Sequence, residues 1–349
     1  MRRFRFLDDR ENGPQRFRGL LLFCILLVLI ISGCDRAAEP ESVNLPKRQS
    51  RSVSLQLQWV TQCQFAGYFI GLQKGWYKDA DIDLTIHPGG PDIVPVDLVT
   101  SGSRDFGTTL LAELAVSVQQ GKPAIGIAQI QQDNGLRLLA KASSGIREPR
   151  DFAGKRIGVW LGGWEVQFNA LLALEGIRPD EVDVISQGFS MAPFIENRLD
   201  VASAMIYNEY NMVISRGINP DQLVVIDFGD YGLGFPGDVL FTSNTMVRSD
   251  PELCRKMVAV SLRGWKYALD HQDEAVAVVL KHDRSGVAEE AHQKKMMAEI
   301  SKLTSGSAAL GRIKRGTISK MIDTLVRHRV MGNEVPPDTV FTDRFIPAN

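Results

Sequence analysis

Three tryptophans at strand ends, two glycine pairs and one Asn-Glu step are the residues in this chain whose type and spacing suit capture of a flat molecule. Trp59 closes the alternation Val53, Leu55, Leu57, Trp59, a position from which a side chain faces a cleft at the edge of a sheet. An aromatic face stacked on a planar ligand adds about 1 kcal/mol beyond area burial, and the same ring serves equally as the last core residue of its strand. Phe65 and Tyr68 follow at the start of a helical pattern; Phe65 fits core packing or stacking, and the Tyr68 phenol needs a polar partner, which a cleft supplies. Trp160 and Trp164 flank Gly162-Gly163, where glycine allows a ligand or a second backbone to come close. In Tyr207-Asn208-Glu209-Tyr210, the Glu209 carboxylate could accept from the amino group and ring N–H of a pyrimidine-like base. Asn208 offers a donor and an acceptor there, or a helix N-cap, and a first-turn acid is equally at home in solvent. Gly89 and Gly90 add backbone donors in His87-Pro88-Gly89-Gly90-Pro91, and Thr108 and Thr109 suit ligand donation or capping of the helix expected after them.

These residues need an alternation of strand and helix to bring them together. Val53 to Trp59 reads as a strand and Gln64 to Gln73 as a helix stopped at Lys74-Gly75. Strands at 82–86, 105–107, 124–131 and 136–140, with helices at 93–100 and 110–119, make an α/β lobe with a largely parallel sheet. A second unit from Ser144 repeats the pattern, with strands at 156–159, 182–185, 201–205 and 223–228. After a last strand at 239–242 the chain is mostly helical to about Arg329, as expected if it returns to finish the first lobe. The expected division is therefore 53–143 and 239–349 for lobe 1 and 144–238 for lobe 2. Gly162-Gly163 lacks the spacing of a nucleotide-binding fingerprint, and no cofactor is expected.

The first 33 residues carry six Arg and three acids, and Gly19 to Ser32 is an apolar run that spans about 20 Å as a helix, short of a bilayer core of about 30 Å. A signal peptide is expected, with 34–52 as a polar tether. The rest carries 34 basic and 38 acidic residues, a net charge of −4 that gives no reason to expect nucleic acid as a partner. Cys63 and Cys254 have 190 residues between them and no Cys/His cluster exists, so a structural zinc site is not expected.

Taken in order, Gln64-Phe65-Ala66-Gly67-Tyr68, Lys74-Gly75-Trp76-Tyr77-Lys78, Gly89-Gly90-Pro91, Asp105-Phe106-Gly107, 151–159 and Tyr207-Asn208-Glu209-Tyr210 resemble the nitrate/sulfonate/pyrimidine family of solute-binding proteins of ABC transporters, with the thiamine-precursor branch nearest. Ile31-Ser32-Gly33-Cys34 resembles the lipobox of bacterial lipoproteins, with Cys34 as the lipidated residue. The resemblance implies a type II periplasmic-binding-protein fold, two α/β lobes with an interlobe ligand cleft. It also implies an exported monomer held to a membrane by lipid, capturing a planar heteroaromatic solute and delivering it to ABC permease subunits. An alkylsulfonate or nitrate binder, a pyrimidine-synthase-like enzyme and a sensory subunit are the alternatives. Pyrimidine-synthase relatives carry an Asn-His pair where this chain has Gln64-Phe65, and a Cys-rich cluster it lacks. Without that imidazole the expectation is a binder with no catalytic step.

Overall fold

Strand β1 (Arg51–Gln56) begins with two exposed residues and ends with buried ones, because its second half enters the middle of a sheet. A computed structural model describes residues 50–348 except 287, 306 and 307. Around β1 lie β2 (Ile82–His87), β3 (Phe106–Leu110) and β4 (Ala124–Gln129). The second sheet takes β5 (Leu136–Lys141), β6 (Arg156–Val159), β7 (Asp183–Ser186), β8 (Val201–Met205) and β9 (Leu223–Asp227), and β10 (Asp238–Ser243) returns to the first. The orders are β2-β1-β3-β10-β4 and β7-β6-β8-β5-β9.

One strand in each sheet runs against its neighbours. β10 is antiparallel to β3 and β4, and β5 is antiparallel to β8 and β9. Each is the strand by which the chain, having crossed between lobes, enters the new sheet. Their direction decides the site, because the amino end of β10 lies at the same sheet edge as the carboxyl ends of β1 and β3.

The crossing comes earlier than the sequence pattern suggests. Leu136–Lys141 was expected in lobe 1 but pairs with β8 and β9, so lobe 2 begins before Ser144. A short buried strand carries no sequence mark of the sheet it joins. The first strand also begins before the expected boundary at 52, since Arg51 is already in β1 and pairs with Asp250. Cys34 and the expected signal peptide lie outside the described residues. Among the described residues no helix is long and apolar enough to cross a membrane.

Helix Pro251–Asp270 and helix Ala66–Gln73 pack backbone on backbone behind the first sheet. A Cβ on Gly264 would stand 2.1 Å from the Gly67 carbonyl oxygen, and one on Gly67 would meet the Trp265 indole at 2.3 Å. Cys63 and Cys254 are both buried and free.

Candidate functional site

The carboxyl end of β1, the turn after β6 and the turn after β8 meet around one small cavity lined by Trp59, Gln62, Gln64, Trp160, Trp164, Met205, Tyr207, Asn208 and Glu209. Trp59 and the two glutamines come from lobe 1, the others from lobe 2. The three indoles are 5%, 3% and 6% exposed and pack on one another, with ring centroids 5.6 Å apart for Trp59–Trp160, 5.6 Å for Trp59–Trp164 and 6.0 Å for Trp160–Trp164. Their planes are inclined by 59–66°. A ring slipped between two faces needs them parallel and about 7 Å apart, twice the carbon contact distance. The indoles therefore fill the space a flat ligand would take, leaving a cavity of about 10 Å³, close to the least that holds one water.

Below the indoles lies a polar floor. Gln62 Nε2 donates to Gln64 Oε1 at 2.7 Å, and Gln64 Nε2 donates to Asp238 Oδ2 at 2.9 Å. Asp238 opens β10, and its other oxygen accepts from Gln58 Nε2 at 2.7 Å. Burial pushes the Asp238 carboxyl up to about 7, against the pull of the Gln64 and Gln58 amides. On the lobe 2 side, Glu209 accepts from the Met205 N–H at 2.9 Å and from Asn208 Nδ2 at 2.7 Å. Burial pushes it, too, up to about 7, with those donors opposing. Glu209 is thus a desolvated acceptor rather than a solvated first-turn acid.

The chain leaves β6 through a turn that glycine permits. Gly162 and Gly163 have φ of 97° and 119°, a region in which a Cβ is strained, and the Gly163 N–H donates to Glu165 Oε2 at 2.9 Å. A Cβ on Gly163 would stand 4.0 Å from Glu113 Cγ, so this turn of lobe 2 sits directly on lobe 1. Glu113 is buried, accepts from Thr109 Oγ1 at 2.6 Å, and burial holds its carboxyl well above the usual range.

Residues 62–275 match the NMT1/THI5-like family. The chain belongs to that family. A riboflavin-binding protein, RibY, from Chloroflexus aurantiacus is 28% identical over 75% of this chain and 77% of its own length. A 4-amino-5-hydroxymethyl-2-methylpyrimidine phosphate synthase from Legionella pneumophila is 24% identical over 64% of this chain and 71% of its own. The alkanesulfonate-binding protein SsuA of Xanthomonas axonopodis superposes with a TM-score of 0.64 at 14% identity, over 83% of this chain and 98% of that one. The NMT1/THI5-like chain therefore has the periplasmic-binding-protein fold, with two mixed α/β sheets.

Of the residues expected at the site in this NMT1/THI5-like protein, Trp59, Trp160, Trp164, Tyr207, Asn208 and Glu209 line the cavity. Gly162 and Gly163 form the turn between two of those indoles. Phe65 does not reach it; it is 0% exposed in the core, and its neighbour Gln64 faces the cavity instead. Tyr68 is also in the core, edge-on to Trp265 at 5.9 Å. Tyr68 sits on the helix face turned toward helix Pro251–Asp270, a partner the helix's own periodicity leaves unspecified, and Phe65 lies in the turn Cys63–Phe65 just before that helix. Tyr210 packs in the separate apolar cluster of lobe 2, away from the cavity. Thr108 is within β3, where its hydroxyl accepts from the Gln58 N–H at 3.0 Å, and it caps no helix. Gly89 holds the β2 exit against β1, its N–H donating to the Trp59 carbonyl at 2.8 Å. Gly90 lies under the Phe189 ring, which a Cβ would meet at 3.0 Å.

Five contributors were not foreseen. Gln62, Gln64 and Met205 line the cavity, and Asp238 holds the Gln64 amide beneath it. Phe189 is 49% exposed, yet its ring centroid is 5.0 Å from that of Trp59, so it covers the mouth of the aromatic cluster.

Proposed function

We propose that this protein is the extracytoplasmic solute-binding component of an ABC importer, capturing a planar heteroaromatic solute between its lobes without transforming it. The observation that carries this reading is the meeting of Trp59 with Trp160 and Trp164 across the cleft, above a floor of amides and the Glu209 carboxyl. Indoles from opposite lobes present stacking faces to a ring only when the lobes move apart and close again on it. Binding and closure are then one event, and ligand affinity for the closed form selects it. Asn208, Glu209, Gln62 and Gln64 give donors and acceptors suited to the edge of a nitrogen heterocycle. The riboflavin-binding relative supports a ring of this class.

The cavity wall carries no Lys or Arg, and its one charged residue is a carboxylate, which disfavours a sulfonate or nitrate. The synthase relative supports the rival reading of a pyrimidine-making enzyme; against it, Phe65 lies buried and Gln64 turns a neutral amide to the cavity. An export leader ending at Cys34 would place the protein outside the cytoplasm on a lipid anchor, facing permease subunits. Thermal unfolding of the purified protein with riboflavin, 4-amino-5-hydroxymethyl-2-methylpyrimidine or ethanesulfonate tests the ligand class. One of the two heterocycles is expected to raise the melting temperature, unchanged after release. A rise with ethanesulfonate alone, or chemical conversion of a heterocycle, contradicts the reading.

A further inference from the structure

Helix Glu290–Thr304 touches both walls of the cleft and the segment that joins the lobes. It packs on the turn Cys63–Phe65 of lobe 1 and on helix Glu209–Ser215 of lobe 2. Gln293 Oε1 accepts from the Cys63 N–H at 2.8 Å, which fixes the backbone between Gln62 and Gln64. One residue earlier, His292 Nε2 lies 2.8 Å from Asn208 Oδ1 in the other lobe. At the far end of the helix the Leu303 carbonyl accepts from the N–H groups of Gln132 and Asp133, at 2.7 and 3.2 Å, in the first crossing between lobes.

We propose that His292 is a cross-lobe latch and a positioning residue for Asn208, and that helix Glu290–Thr304 couples lobe closure to the donor pattern of the cleft. Asn208 Nδ2 is committed to Glu209 Oε1 at 2.7 Å, so Oδ1 must accept and His292 must carry its proton on Nε2. The chain His292 to Asn208 to Glu209 therefore has one sense. It holds the Asn208 amide in one of its two orientations and exists only when the lobes are together. In the open form the amide is free to flip, and closure restores a fixed donor and acceptor beside Glu209. Burial lowers the His292 pKa, in keeping with a neutral ring in the Nε2–H tautomer. Ligand affinity in this scheme rests on the proposed cleft function; the latch itself does not.

Two measurements on the full chain test it. Spin labels at the exposed positions Gln120 and Arg216, one in each lobe, report lobe separation without ligand. His292→Leu is expected to shift the distances longer, and His292→Gln, which keeps an N–H donor, to restore the wild-type distribution. Riboflavin titration is expected to weaken by about tenfold for His292→Leu and by about twofold or less for His292→Gln, the scale of one hydrogen bond. An unchanged distance distribution in His292→Leu, a Gln variant that behaves like Leu, or a nitrogen-15 spectrum assigning the Nδ1–H tautomer overturns the latch. If wild-type protein binds no riboflavin, the flavin reading falls and the distance measurement still decides on His292.

Discussion

Asp238 and Glu209 are the residues at which the account can be tested by pH alone. Both carboxyls are raised to about 7 in the native state by burial, whereas an unfolded chain holds them near 4. The native state therefore binds more protons than the unfolded state between about pH 4 and 7. Stability is greatest below that window and falls as pH rises through it, by an amount on the order of a few kcal/mol per group. Urea midpoints are expected to fall from pH 5 to pH 8, with buried Glu113 contributing beside Asp238 and Glu209, and Glu209→Gln to remove about a third of that fall; a midpoint that rises over the same range contradicts the assignment. The sequence made Glu209 legible as a cavity residue because it sits between Asn208 and Tyr210 after a strand. It could not mark Asp238, whose burial follows from a strand returning across the molecule, nor His292, which meets Asn208 from 84 positions away. Phe65 and Tyr68 show the converse limit, since a helical pattern reveals an apolar face without revealing what covers it.

At the level of elements, the packing of helix Ala66–Gln73 on helix Pro251–Asp270 depends on two glycines facing each other. The atom that a Gly264 Cβ would strike is backbone, so neither helix can yield cheaply. Gly264→Ala is expected to destabilise by about 3 kcal/mol or more, the upper end of overpacking costs, because the clash is with backbone. Gly75 has a φ of 76° at the end of the first helix and open space around it, so Gly75→Ala should cost only the left-handed backbone penalty of about 1–2 kcal/mol. Chemical unfolding of the two variants compares the mechanisms, and equal or reversed costs would be inconsistent with close backbone packing. Most strands and the long helices after Asp250 were legible from periodicity and glycine stops. The partnering of β5 was not, because a short, mostly buried strand carries no mark of the sheet it joins, and Thr108 was misplaced because β3 runs on to Leu110 before the helix begins.

Across the whole molecule, the lobes adhere through aromatic rings and a few cross-lobe polar contacts. Edge and tilted contacts of this kind are worth about 0.5–1.5 kcal/mol each beyond their area, enough to hold a closed form yet little enough for a ligand to displace. Phe189 stands at the mouth, half exposed over Gly90 and Trp59. Phe189→Ala is expected to leave the melting temperature within a few degrees, as surface truncations do, and to speed dissociation of bound ligand several-fold in stopped flow. Unaltered dissociation would remove Phe189 from the path. The two-lobe plan and the tryptophan walls were legible because each lobe repeats the same strand, turn and helix. The closeness of those walls was not, since no local pattern states how far two lobes stand apart.

The central claim is that the three indoles of the cleft grip a planar heterocycle. Isothermal titration of riboflavin and ethanesulfonate into wild type and Trp160→Ala tests it most directly. The account predicts saturable one-to-one binding of riboflavin to wild type, weakened by about tenfold or more in Trp160→Ala, and no heat of binding from ethanesulfonate. Riboflavin affinity untouched by Trp160→Ala, or tight ethanesulfonate binding in its place, would contradict it.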